Sequence, residues 1–164
     1  MLLDKLGKSL AIIFWLIPPV VFIVFVGTFA QNLIVLDDYN MIGNPFAGYL
    51  EADSFSETIK VIFSQQNEYR FPILSSLSIL QYNLFGEIKF NYYPIYGNLA
   101  VFGMCALVLY VFSRGRGYKK LLPIVYLMFP LHIYIIIAWA NASCQYLPAL
   151  CYSLLTMYLL AQNN

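Results

Sequence analysis

The sequence predicts an all-α, polytopic transmembrane helical protein with about four spans and a long outer segment that carries amphipathic, membrane-lying helices. Residues of the set AVILMFWYC make up 61% of the 164 positions, whereas charged residues make up 10%. A water-soluble domain has about 25% charged residues, so this chain has too few charges to cover a surface in water. Disorder is excluded too, because disordered chains are poor in apolar residues. The net charge of +1 gives no basic excess for nucleic acid.

Uninterrupted apolar runs define the expected spans. The first run, over 10–30, contains 21 residues without a charge, which is enough for a helix to cross about 30 Å of hydrocarbon. Because it exceeds the roughly 7–15 residues of a signal peptide's apolar region, we expect an uncleaved signal anchor. The later spans are expected over about 92–112, 121–140 and 146–161.

Details inside the later runs lead to further predictions. Gly97 and Gly103 are small residues that would allow a second helix to approach closely. The fourth run, 146–161, is expected to be a short or partly interfacial span. Alternatively, it pairs with the third span as a tight hairpin through Asn141, Ala142 and Ser143. The three cysteines lack metal or disulfide spacing and are expected to be packing residues. His132 is expected to be satisfied by a neighbouring helix, with a functional role as the alternative.

Positively charged residues predict the orientation in the membrane. Lys5 and Lys8 precede the first span, and four more basic residues lie within 114–120, between the second and third spans. Short loops rich in Lys and Arg stay in the cytoplasm. We therefore expect a multi-pass protein of the cell inner (plasma) membrane, with a cytoplasmic N-terminus and the segment 31–91 outside.

The outer segment 31–91 is where chemistry is expected, since it holds seven of the eight acidic residues. Ser54 and Glu57 have the spacing of a capping box, which marks a helix start. The apolar residues that follow recur at helical spacing and predict an amphipathic helix on the membrane surface. Pro72 fits the first turn of a second membrane-lying helix, which should end near Gly86.

The first candidate cluster is the adjacent pair Asp37 and Asp38, directly after the first span. Neighbouring carboxylates repel each other, and a proton or a divalent cation relieves that repulsion. Oxygen ligands of this kind suit Mg²⁺ or Mn²⁺, and one of the pair could serve as a general base. The alternative is a solvated helix end or a cap for the following turn.

The second candidate cluster is the polar run 65–70, just before Pro72. Arg70 could hold a phosphate through its planar set of donors, and Glu68 could orient Arg70 or share a metal with the aspartates. An exposed loop with a local Glu–Arg pair is the alternative. The candidate catalytic residues are therefore Asp37, Asp38 and Glu68, and the candidate substrate-binding residues are Arg70, Tyr69 and Gln66.

The order of these parts resembles the N-terminal part of bacterial polytopic membrane glycosyltransferases of the GT-C superfamily. The resemblance rests on the acidic pair after the first span and on Glu68-Tyr69-Arg70 before a helix, where such proteins often have Glu-His-Arg. Tyrosine stands in place of the histidine, so a role for histidine at this position does not carry over. Residues 138–146 also look like the tryptophan-bearing turn that precedes a leucine-rich span in such proteins.

The resemblance implies transfer of a sugar from a polyprenyl-phosphate donor, on the outer face of the membrane, to a lipid, glycan or protein acceptor. An outer aspartate would be the catalytic base or a metal ligand, and basic residues would hold the lipid phosphate. A groove between spans would take the isoprenoid tail. The expected partners are thus membrane lipid and the lipid-linked donor, with no nucleic acid.

Such enzymes carry many more spans, so 1–164 is expected to be a single transmembrane domain from a longer chain, or a small relative that needs a partner membrane subunit. Two other function classes stay open. One is a small non-catalytic membrane subunit or scaffold of a larger complex. The other is a small transporter, which should show an internal repeat.

Overall fold

A computed structural model describes residues 2–34, 37–66, 69–113, 121–129 and 131–162, with the backbone only at 2–10 and 69. The described residues are almost all helical, which confirms the all-α prediction. Three helices are long and apolar enough to cross a membrane, and they lie at Ala11–Phe29, Tyr92–Ser113 and Ala140–Gln162. A membrane protein is therefore supported, whereas the type of membrane and the orientation of the chain stay predictions.

The elements follow in this order along the chain. Helix α1 (Leu2–Phe29) leads to a π-helical turn (Tyr39–Gly43), α2 (Asn44–Leu50), α3 (Phe55–Ile62), strands β1 (Gln65–Gln66) and β2 (Tyr69–Arg70), and α4 (Pro72–Phe85). Helix α5 (Tyr92–Ser113), α6 (Leu122–Met128), a 3₁₀ turn (Leu131–Ile133), α7 (Tyr134–Ala138) and α8 (Ala140–Gln162) complete the fold.

The last two expected spans differ from the prediction. The run 121–140 is not one helix but is divided into α6, the 3₁₀ turn and α7. The expected hairpin turn at 141–143 is wrong, because these residues form the first turn of α8. The chain instead reverses at Trp139, whose backbone is extended. Helix α8 thereby gains a full span length of 23 residues.

Helices α5 and α8 lie side by side and run parallel. Gly97 contacts Ser143 and Gly103 contacts Cys151, and further along the rings of Tyr110 and Tyr158 are 6.0 Å apart. A β-carbon at Gly97 would lie 2.7 Å from the backbone nitrogen of Cys144 and closer still to the Ser143 carbonyl. The predicted close helix neighbour is thus confirmed at Gly97.

The middle of the bundle is an apolar core between α1, α5 and the broken segment. The Phe22 ring lies 5.3 Å from Phe129 and 6.2 Å from Phe102, and Phe102 lies 5.1 Å from Phe129. Buried aliphatic side chains, among them Val101 and Val125, surround these rings. Because α5 and α8 run parallel, the chain must cross the bundle once after α5 ends and before α8 begins. The segment 121–139 makes this crossing.

Segment 31–91 folds over one end of the bundle, which we name the segment end. A second buried cluster there joins the π-helical turn and α4 to the starts of α5 and α8; its members are Met41, Ile42, Leu74, Tyr93, Ala140 and Cys144. Tyr93 donates a hydrogen bond from its hydroxyl to Ser78 on α4 at 2.9 Å. The segment is therefore packed onto the spans and is not a free loop.

The local signals for helix ends in the segment are confirmed. The Ser54 side chain accepts a hydrogen bond from the Glu57 N–H at 3.3 Å. Glu57 reaches back to the N–H of Asp53, one residue before the usual position, at 2.8 Å. Helix α4 begins at Pro72 and ends at Gly86, which has a φ of 74°. This left-handed conformation favours glycine, which has no β-carbon to clash.

Candidate functional site

The two adjacent aspartates occupy opposite environments. Asp38 is fully buried, whereas Asp37 is exposed. One carboxylate oxygen of Asp38 accepts a hydrogen bond from the Trp139 indole N–H at 2.9 Å and another from the Asn141 backbone N–H at 3.0 Å. Both donors are more than 100 residues away in sequence. The acidic pair is therefore not one unit in the structure.

Asp38 caps helix α8 from outside that helix. The first N–H groups of a helix lack partners within the helix, and the helix N-terminus carries a partial positive charge. A carboxylate that accepts from the Asn141 N–H satisfies one of these groups and complements the charge. Trp139, the residue just before α8, is fixed by the same oxygen. The sequence-based alternative of a capping role thus fits Asp38, although the helix it caps is the last one.

Asp37 lines a polar cleft of about 350 Å³ at the segment end. Its other lining residues are Met41, Phe71, Trp139, Asn141, Ala142, Gln145 and Tyr146. The Asp37 carboxylate forms no ion pair or side-chain hydrogen bond with the residues that the structure describes. The cleft therefore combines one unengaged carboxylate with amide and aromatic side chains.

Asn141 adds an unusual feature to the polar cleft. Its side chain is 6% exposed, and its carbonyl oxygen has no hydrogen-bond partner among the described residues. A buried polar atom without a partner costs free energy, on the order of 1–3 kcal/mol. Such an atom beside a cleft is a natural partner for a bound polar group.

Arg70 lies at a neighbouring apolar groove of about 290 Å³. The groove runs between the start of α4 and the first half of α8, and its walls include Pro72, Leu74, Pro148 and Tyr152. Arg70 is exposed and forms no ion pair with any described residue. Arg70 thus places a cation at the edge of an apolar surface.

The polar cleft and the apolar groove adjoin each other. Phe71 and Gln145 line both of them. Asp37 and Arg70, which are separated by about thirty residues of helix and strand, are thus placed around two connected spaces. Helix α8 supplies one wall of both spaces. The opposite wall of the groove comes from Arg70 to Leu74, and that of the cleft includes Asp37, Met41 and Phe71.

The remaining predicted site residues are distributed as follows. Glu68 lies outside the described residues, and of Tyr69 only the backbone is described, in strand β2. Gln66 pairs with Tyr69 in a two-stranded antiparallel ladder, and its side-chain amide donates to Ser64 at 3.0 Å. Within the polar run, Gln65–Gln66 and Tyr69–Arg70 therefore form two short antiparallel strands, and Arg70 also lines the groove.

Metal binding by the acidic pair finds no support from other described residues. Within the described ranges no group of three or more His, Cys, Asp or Glu side chains is close enough to share an ion. The buried Asp38 oxygen is engaged by Trp139 and Asn141. A role for Mg²⁺ or Mn²⁺ stays a prediction, and it depends on Glu68.

Other polar residues play no part in this site. His132 was expected to be satisfied by a neighbouring helix. It is instead exposed on the 3₁₀ turn. Cys105, Cys144 and Cys151 are all free. The Cys144 thiol donates to the Tyr93 carbonyl at 3.0 Å, in keeping with a packing role.

The cleft residues Trp139, Asn141, Gln145 and Tyr146 were absent from the candidates drawn from the sequence. Their spacing is helical, since 141 and 145 lie one turn apart on α8. The expectation of a tight turn at 141–143 concealed this spacing.

Comparison with family models, with curated proteins and with solved structures finds no match to this chain.

Proposed function

We propose that the chain is part of a membrane transferase that moves a neutral sugar from a polyprenyl-phosphate donor. The observation that carries the proposal is the junction of a polar cleft, which is lined by the Asp37 carboxylate, with an apolar groove that has Arg70 at its edge. A lipid-linked sugar has the same three parts in the same order: a polar sugar, a phosphate and an apolar tail.

The groove suits the phosphate and the first part of the tail. Arg70 presents a planar set of donors that matches phosphate oxygens. Its neighbours Phe71, Pro72 and Leu74, together with Pro148 and Ala149, form an apolar surface beside it. A phosphate on Arg70 would place an isoprenoid chain along this surface and the sugar toward Gln145.

The polar cleft suits a single neutral sugar. About 350 Å³ is near the lower end of the size range for small-molecule sites, which indicates one sugar unit. Trp139 and Tyr146 supply aromatic faces, and Asn141 and Gln145 supply amide groups for hydroxyls. Among the described residues that line the cleft, Asp37 alone has a charged side chain, and a sugar carboxylate would be repelled by it.

Asp37 has the exposure and the freedom that a general base needs. In the proposed reaction an acceptor hydroxyl oxygen forms a bond to the anomeric carbon of the sugar. The bond between that carbon and the phosphate oxygen breaks, its electron pair leaves with polyprenyl phosphate, and the hydroxyl proton passes to Asp37. Arg70 stabilises the negative charge on the leaving phosphate.

Two measurements on the full chain test this proposal. Native mass spectrometry with polyprenyl monophosphate should detect binding by the parent chain, and Arg70→Gln should weaken it about tenfold because a charge-assisted contact is lost. In vesicles that contain polyprenyl-phosphate glucose, labelled in the sugar, Asp37→Asn should lower sugar transfer about 10²- to 10⁴-fold.

Matched controls are provided by exposed charges on or before α3. Lys60→Gln removes a cation and Asp53→Asn removes a carboxylate outside both the cleft and the groove. Both controls should behave as the parent chain does. If the parent binds no polyprenyl monophosphate, or if Asp37→Asn transfers sugar at the parent rate, the proposal fails and the non-catalytic subunit becomes the better interpretation.

A further inference from the structure

We infer that Asp38 is a positioning residue whose buried charge holds Trp139 and the first turn of α8 in place as one wall of the polar cleft. This role differs from that of Asp37, which faces the cleft directly. That Asp38 holds Trp139 and the first turn of α8 in place is argued from the burial and hydrogen bonds of Asp38, without reference to sugar transfer. That this wall holds a sugar rests on the proposed function.

The first argument is the burial of Asp38. A carboxylate with an exposed fraction of 0% is costly to bury, and the charge persists in a fold only when strong partners compensate it. The Trp139 indole and the Asn141 backbone N–H are two such partners, at 2.9 and 3.0 Å. The partial positive charge of the α8 N-terminus adds a third favourable interaction.

The second argument is the position of the two donors. Trp139 is the point at which the chain reverses before α8, and its backbone is extended. Asn141 lies in the first turn of α8, and both residues line the polar cleft. Because one Asp38 oxygen bonds to both residues, it fixes the direction in which the chain leaves Trp139 and begins α8.

The third argument is the separation of Asp38 from its partners along the chain. The bonds join residues 101 and 103 positions apart. Asp38 follows the first span, so it links the end of α1 to the start of the last helix. A shift of α8 relative to the π-helical turn would therefore open or close the cleft between Asp37 and Gln145.

The experiment uses the two tryptophans of the chain as reporters. In a Trp15→Phe background Trp139 is the one tryptophan, and excitation to the red of tyrosine absorption makes it the sole emitter. Asp38→Ala should make Trp139 more accessible to acrylamide, because its indole loses its acceptor. Amide exchange at 139–146 should rise about ten- to hundredfold, since the helix loses a charged cap. Exchange in the middle of α5 should not change.

The control is the neighbouring acid. Asp37→Ala removes the same charge one position earlier, and it should leave Trp139 quenching and exchange at 139–146 at parent values. If Asp38→Ala leaves both signals unchanged, or if Asp37→Ala changes them equally, the inference is overturned.

A second variant covers the case in which Asp38→Ala does not fold. Asp38→Asn retains an oxygen that can accept from both donors but lacks the charge. Exchange at 139–146 should then rise about two- to tenfold, with the rest of the chain unaffected. Parent-level exchange in Asp38→Asn would show that the charge has no positioning role. These signals do not depend on sugar transfer, so they remain informative even if Asp37→Asn disproves the proposed function.

Discussion

At the segment end of the bundle, helices α5 and α8 approach so closely that Gly97 has no space for a β-carbon. In the middle of the bundle the rings of Phe22, Phe102 and Phe129 pack against one another between α1, α5 and the end of α6. The segment end also holds the buried polar groups of Asp38, Asn98 and Ser78. Close backbone contact and polar bonds therefore set the geometry where the cleft lies, and side-chain packing sets it elsewhere.

This contrast follows from how membrane helices associate. Lipid tails are as apolar as leucine, so helices gain little from apolar burial, and close packing and hydrogen bonds decide where they meet. The small residues Ala140, Ser143 and Cys144 of α8 pack near Gly97 and Tyr93 and make the close approach possible. Asn141 and Ala142, in the same turn, line the cleft.

The largest effect on stability is expected at the close contact. Gly97→Ala should lower the free energy of unfolding by about 3 kcal/mol or more, because the new β-carbon meets the α8 backbone, which cannot move aside. Gly103→Ala is the matched control. Its β-carbon would meet the Cys151 sulfur at 3.3 Å, and that side chain can shift. Reversible unfolding in mixed micelles should separate the two variants, and equal losses would remove the contrast between the two regions.

An intermediate effect is expected in the middle of the bundle. Phe129→Ala should cost roughly 2 kcal/mol, less than the 3–5 kcal/mol typical of water-soluble cores, because lipid solvates the exposed side chain as well as the core does. The same unfolding measurement on Phe14→Ala, an exposed position of α1, should give a change near zero. If Phe129→Ala lowers the free energy of unfolding by more than Gly97→Ala does, the proposed order is wrong.

The smallest effect is expected for a single polar bond. The Asn98 amide nitrogen donates to the carbonyls of Pro94 and Ile137, both at 2.6 Å, and so satisfies a carbonyl at the end of α7. Asn98→Leu keeps the side-chain volume and should cost about 0.6–1.7 kcal/mol. Ser153→Ala, whose hydroxyl bonds only within α8, serves as the control and should be neutral. If Asn98→Leu lowers the free energy of unfolding by more than Phe129→Ala does, polar bonds dominate the stability of the segment end.

Much of the local structure was predictable because the signals are local. Ser54 with Glu57, Pro72, and Gly86 mark helix ends through their own backbone chemistry, and each lies where it was expected. Gly97 also indicated a close neighbour correctly. The turn at 141–143 was wrong since Asn and Ser favour both turns and the first turn of a helix, and the residue types alone cannot separate these two conformations.

The candidate site was only partly predictable. The acidic pair and Arg70 were recognised as residue types that suit the chemistry, and Asp37 and Arg70 do line connected spaces. The division of roles between Asp37 and Asp38 could not be predicted, because two adjacent residues differ only in the direction their side chains take. The cleft residues on α8 required the position at which that helix begins.

The sequence by itself determined that the chain is helical with spans apolar enough for a membrane, where the first two long apolar helices lie and how several of the shorter ones end. Those properties depend on hydropathy and backbone conformation over a few residues. Only the tertiary structure decided that α5 and α8 run parallel, that Asp38 is buried against Trp139, and that Asp37 is left to face a cleft. The burial of Asp38 depends on contacts with residues more than 100 positions away, and the packing of α5 on α8 depends on contacts such as that of Gly97 with Ser143. Such contacts exist only once the helices have packed.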